Sequence, residues 1–148
     1  VFVPGCTTMQ AYPGKRLPQS EVARIQGNTF HHYGVYVETF SVVEIDGVKT
    51  QEDEIEVLPG EHILRVRLMA TFPLLATPMV AMRKPFLLAP SKLRFQAEAG
   101  REYRLDAKRV PDETYDRFSV WLEDARTMEV VAGAKPEPTG PDNDSETK

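Results

Sequence analysis

Cysteine is almost absent from this chain. A single thiol in 148 residues allows neither an internal disulfide nor a cysteine cluster for a metal. Positive charge is not in excess either: the formal net charge is −4. Proteins that read phosphate backbones usually carry a basic field, so nucleic acid is not an expected partner. No Gly-x-Ser-x-Gly, no glycine-rich phosphate loop and no Cys-x-x-Cys occurs. The commonest sequence signs of nucleophilic, phosphoryl-transfer and dithiol chemistry are therefore missing, and neither a cofactor nor a small-molecule substrate is expected. Long segments of helical period are also lacking. The 12 prolines argue instead for turns, sheet edges and tails.

What is present is the grammar of strands. The centre is Ser41 to Leu68. Val43 and Ile45 lead into Asp46-Gly47, a turn pair in which glycine supplies positive φ. Ile55 and Val57 run into Pro59-Gly60, a second turn. Leu64, Val66 and Leu68 then alternate with Ile63, Arg65 and Arg67, the period of a strand with one buried face. Glu21 to Gln26 is a short strand candidate. Val35 to Ile45 is long for one flat strand and changes apolar phase near Thr39-Phe40, where a bulge is expected. Ser91 to Glu98 points Leu93, Phe95 and Ala97 inward, and Glu102 to Lys108 does the same with Tyr103, Leu105 and Ala107. With Ala99-Gly100-Arg101 between them, the two segments read as a hairpin. Phe118 to Glu123 buries Phe118, Val120 and Leu122 and turns Trp121 to the other face; Met128 to Val131 closes with a short strand. The expectation is an all-β domain over 21–133, an antiparallel β-sandwich of about seven or eight strands.

The flanks differ from this domain. Residues 7–20 are polar, with Pro13, Gly14 and Pro18, and read as a tether. Residues 134–148 have no aromatic and are acidic and proline-rich, so they read as a disordered tail. Residues 69–90 form an unusually apolar connection broken by four prolines, too interrupted for a transmembrane span. Phe72, Leu74, Leu75, Met79, Val80, Met82, Phe86 and Leu87 within it are the candidate partner-binding residues. The bland alternative is a loop folded over one end of the core.

Val3-Pro4-Gly5-Cys6, after two apolar residues, resembles the end of a bacterial lipoprotein signal peptide. The runs VEIDGV, EVLPGEHILRVRL, LRFQAEAGREYRLDA and VWLEDARTMEVVAG resemble small bacterial lipoproteins of unassigned function, and the first half is similar to PEGA-type β modules. The resemblance covers about residues 20–133, and its motifs are turn and core signals that speak to fold more than to function. It implies acylation of Cys6 and residues 1–20 as signal remnant, lipobox-like cysteine and tether. It also implies a periplasm-facing place in the cell envelope, by analogy at the outer membrane of a Gram-negative bacterium. Its partners would be the membrane, through the acyl chains, and an envelope protein.

Three histidines offer a weaker reading. His31 and His32 point to opposite faces of an extended chain, and His62 with Glu61 would complete a zinc site only by approaching one of them. Glu52-Asp53-Glu54 reads as a solvated run, and Glu44, Asp46, Asp106, Glu123 and Asp124 carry no sign of burial. Arg65, Arg67, Arg94 and Arg104 suggest a basic face, or simply cross-strand pairs with glutamates. The expected function is thus structural or protein-binding and not catalytic. The alternatives are a subunit of an envelope assembly, such as a secretion-system lipoprotein, and a histidine-based metal protein or enzyme.

Overall fold

The computed structural model describes residues 8–33, 36–50, 52–71, 86–110, 114 and 116–137. Among these the chain is all β: twelve strands in two sheets, with one three-residue 3-10 turn at Gln19–Glu21. The strands are β1 (Thr8–Gln10), β2 (Ala23–Gln26), β3 (Asn28–Tyr33), β4 (Tyr36–Ile45), β5 (Val48–Lys49), β6 (Glu54–Val57), β7 (Gly60–Thr71), β8 (Phe86–Ala89), β9 (Lys92–Ala97), β10 (Glu102–Val110), β11 (Asp116–Asp124) and β12 (Val130–Gly133). The first sheet runs β1-β6-β2-β10-β11-β12, with β8 also on β11; the second runs β3-β4-β7-β9, with β5 on β4.

The second sheet is antiparallel throughout. The first is mixed, because β1 on β6, β2 on β10 and β8 on β11 are parallel pairs. This departs from the wholly antiparallel expectation, and the strand count exceeds seven or eight. The additional strands are short edge pieces of two to four residues, too brief to show a period in the sequence.

Alternation sets each strand's buried face as expected. Leu64, Val66 and Leu68, then Leu93, Phe95 and Ala97, then Tyr103, Leu105 and Ala107, then Phe118, Val120 and Leu122 all enter one apolar cluster, which both sheets feed. Phe40 meets Phe118 at 5.6 Å and Phe95 meets Tyr103 at 5.2 Å between ring centroids, each pair joining one sheet to the other. Burying a side chain of this size contributes about 1.5–3 kcal/mol, and a tilted ring pair about 1 kcal/mol more.

Alternation does not name neighbours, however. The segments 91–98 and 102–108 are not a hairpin: β9 pairs with β7 in the second sheet, while β10 pairs with β11 and β2 in the first. Ala99-Gly100 is an arch between sheets. β6 and β7 are likewise split between the two sheets. Asp46-Gly47 does close a hairpin, with both residues at positive φ (49° and 84°). The bulge in β4 falls between Val42 and Glu44 rather than at Thr39-Phe40. Gly27 carries the chain from β2 to β3. Its N–H donates to the Asp53 carbonyl (2.8 Å), and its own carbonyl accepts from the Val42 N–H (2.7 Å). A Cβ there would lie 3.1 Å from that of Val42.

The segment expected as a tether is seated on the fold from Thr8 onward. β1 follows β6 in parallel register, and Tyr12 is buried. Its anchoring contacts come from residues some forty positions away, which is why a polar, proline-bearing stretch does not announce them. The run 69–90 is strand at both ends, Thr71 closing β7 and Phe86 opening β8.

Candidate functional site

The outward face of the first sheet carries charge that is covered. Glu56 on β6 points away from the apolar cluster that holds Ile55 and Val57, yet it is only 1% exposed. The segment after β1 covers it. The Arg16 guanidinium grips both carboxylate oxygens, Nε to Oε1 at 3.2 Å and Nη2 to Oε2 at 2.8 Å. The Tyr12 hydroxyl donates to Oε1 (3.4 Å) and accepts from the Leu17 N–H (3.1 Å). Arg24 stands 3.8 Å away on β2. The hydrogen bond from Arg16 outweighs burial and holds the Glu56 carboxyl below its ordinary value.

Glu123 and Asp124, which carry no sign of burial in the sequence, are buried as well. Glu123 is 0% exposed; it accepts from the Trp121 indole N–H at 2.7 Å and from Arg104 at 3.2 Å. Trp121 is itself buried on this outward face, with Lys135 Nζ 5.9 Å above its ring. Asp124 caps the turn into β12, accepting from the Arg126 and Thr127 N–H groups (2.8 and 3.1 Å), and pairs with Arg101 at 3.0 Å. Burial alone would raise its carboxyl, but these donors hold it low. Between the sheets, Glu38 pairs with Arg109 at 3.0 Å, and the Arg109 guanidinium lies 5.4 Å from the centre of the Phe118 ring.

These carboxylates are braces. Glu56 and Glu123 lie on strands separated by β2 and β10, three spacings or roughly 14 Å apart, beyond the reach of a paired acid and base on one glycosidic bond.

The histidines do not converge. His62 bonds Asp46 Oδ2 through Nδ1 and the Leu58 carbonyl through Nε2, both at 2.6 Å, so both ring nitrogens are engaged. His31 packs edge-on against Phe40. It sits opposite Glu38, which in turn sits opposite Ala70, eight positions or roughly 26 Å along β7 from His62. Among the described residues no three histidine, cysteine or acidic side chains form a metal-holding group.

The outward face of the second sheet is open. Because β4 carries an extra residue at Val43, the sheet surface is interrupted by a recess of about 540 Å³. Lys49, Arg65, Arg67, Glu44, Thr50 and Ser91 are among the residues that line it. Arg65 pairs with Glu44 at 3.5 Å, and Arg94 with Glu61 at 3.7 Å further along. Of the four arginines expected to form one basic face, Arg104 belongs to the other sheet. Phe30 and Met69, 57% and 46% exposed, flank Thr39 in the register of β3, β4 and β7. Neither stood out in the sequence: their adjacency is a matter of register across three strands.

Of the residues expected to bind a partner, Phe72, Leu74, Leu75, Met79, Val80 and Met82 lie outside the described residues, as does Cys6. Phe86 opens β8, and Leu87 beside it is 43% exposed. Residues 138–148 of the expected tail are also outside.

Together the fold and these contacts define a two-sheet β domain with internally braced charge and one open sheet face. No protein-family model matches the chain, no curated protein is similar to it, and no solved structure matches its fold.

Proposed function

We propose that this chain is a non-catalytic binding module of the cell envelope, a β-sandwich anchored through acyl chains on Cys6 and facing the periplasm from the outer membrane. The observation that carries the non-catalytic reading is the commitment of buried charge. Glu38, Glu56, Glu123 and Asp124, the buried acids among the described residues, each have an arginine within 3.2 Å. Bound in this way they act as braces, which supports a structural reading of these carboxylates over a role in proton transfer. The sandwich reading is supported by the single core that both sheets feed. The anchor rests on the lipobox-like residues Val3 to Cys6.

A place as a subunit of an envelope assembly is favoured by the exposed apolar side chains. Phe30, Met69 and Leu87 are all open on the surface, the last two at the ends of the apolar run 69–90. Anchor and contact are tested separately. Intact mass after expression of the full gene in a bacterial host is expected to begin at Cys6 with added acyl chains, in the membrane fraction. An unmodified soluble protein retaining Val1 overturns the anchor. Photo-crosslinkers at positions 30 and 69, which flank Thr39 on one sheet face, are expected to capture one discrete protein that a crosslinker at position 126 does not. Equal capture from all three positions overturns the contact surface.

A further inference from the structure

We propose that the recess beside the β4 bulge is a binding site for a phosphate monoester. It does not depend on the anchor at Cys6.

Three cations, Lys49, Arg65 and Arg67, line the recess against one carboxylate, Glu44. The balance is two positive charges, the complement of a dianionic phosphate monoester. Among the described residues neither Lys49 nor Arg67 has a carboxylate partner, whereas Arg16, Arg24, Arg65, Arg94, Arg101, Arg104 and Arg109 each do. The Arg67 fork and the Lys49 ammonium, with the Arg65 guanidinium that is shared with Glu44, suit a tetrahedral oxyanion, since arginine meets phosphate oxygens with paired hydrogen bonds and lysine adds a point charge.

The walls are set by backbone. The strand after the Asp46-Gly47 turn folds back over the bulge: the Thr50 N–H donates to the Val43 carbonyl (3.1 Å) and its hydroxyl to the Val42 carbonyl (2.6 Å). This holds Lys49 beside the gap. On the far side the Val66 N–H donates to the Ser91 carbonyl at 2.8 Å, which places Ser91 at the rim between Arg65 and Arg67. A site whose frame is held before the ligand arrives loses less entropy on binding. Its volume lies within the range of small-ligand sites, about 300–1,000 Å³.

The test is a titration of the folded chain with inorganic phosphate, glycerol 3-phosphate and acetate, followed by amide and arginine Nε shifts in NMR. In parallel, the chain is floated with phosphatidylcholine vesicles with and without phosphatidic acid. Saturable shifts at Lys49, Arg65, Arg67 and Ser91 are expected with the phosphates. Lys49→Gln and Arg67→Gln should each weaken binding about tenfold, with thermal melting unchanged because both side chains are exposed. Glu44→Gln should tighten binding severalfold, an effect of opposite sign that a merely structural role does not produce. Arg94→Gln, on the same face but outside the recess, should leave it unchanged. Binding of glycerol 3-phosphate without flotation assigns a soluble ligand; flotation only with phosphatidic acid assigns a lipid headgroup. The proposal is overturned by any of three results: no saturation with either source, equal weakening by Arg94→Gln, or acetate binding as tightly as phosphate.

Discussion

The outward faces of the two sheets start from similar sequence and reach different ends. Both derive from strands that alternate apolar with charged residues. On the first sheet the carboxylates of Glu56 and Glu123 are covered and paired with arginines, with Tyr12 and Arg16 over one end and Trp121 with Lys135 at the other. On the second sheet Arg65, Arg67 and Lys49 remain around an open recess. The difference lies in what is laid across each face. A charge that is covered must be paired and becomes a structural brace; a charge left in water is free to meet something else. Stability should therefore reside in the first face and recognition in the second.

The strongest way to break the comparison is Gly133→Ala. Gly133 stands at φ 75°, and a Cβ there would sit 2.5 Å from the Val120 carbonyl oxygen and 3.0 Å from the Trp121 Cα. A loss of about 3 kcal/mol is expected in urea unfolding, from backbone strain and steric displacement together. Glu56→Gln comes next, with about 2 kcal/mol lost at neutral pH, since hydrogen bonds to a charged group are the stronger kind. It also has a pH signature. Glu56 and Asp124 sit below their ordinary values in the fold. The stability they contribute is present above the unfolded carboxyl value of about 4 and is lost as pH falls through the lower folded values. Urea midpoints should drop on acidification, and the variant should show a flatter acid limb. An unchanged limb would remove Glu56 from the account.

Trp121→Phe keeps the ring and deletes the N–H that Glu123 accepts; about 1–2 kcal/mol should be lost. Asp46→Asn is a smaller case. Burial pushes its carboxyl up, but the bond from His62 and the Ile63 N–H hold it below its usual value. The pair is partly exposed, so less than about 1 kcal/mol is expected at neutral pH, fading as the pH falls below the folded-state value of Asp46. The second face sharpens the comparison by contrast: Phe30→Ser should change stability by less than about 0.5 kcal/mol, as befits an exposed position. A loss as large as that of Glu56→Gln would erase the distinction between the faces.

The inward positions of β7, β9, β10 and β11 were legible, because a period of two codes for a face whatever the neighbour. So was the Asp46-Gly47 hairpin, whose chemistry is local. Pairing was not legible where a strand's partner is remote: Phe95 and Tyr103 carry the same inward signal whether they sit on one hairpin or face each other across two sheets. Buried acids were misread for a related reason. Nothing near Glu56 in the chain indicates that Tyr12 and Arg16 will cover it, and Glu123 is buried by a tryptophan two places away and an arginine on the next strand. The candidate site was half visible: Arg65 and Arg67 stood out in β7 and the hairpin sets Lys49 opposite Glu44, but that Glu44 in turn meets Arg65 depends on the remote pairing of β4 with β7 and its bulge.

The pairing of Thr8 with Glu54 has a consequence for posture under the proposed anchor. A lipid on Cys6 would be attached two positions from a residue already held in the first sheet, a span of about 7 Å at full extension. Attachment there would limit how far the domain could tilt above a bilayer and would bring the β6 edge, with Glu54, nearest to the attachment point.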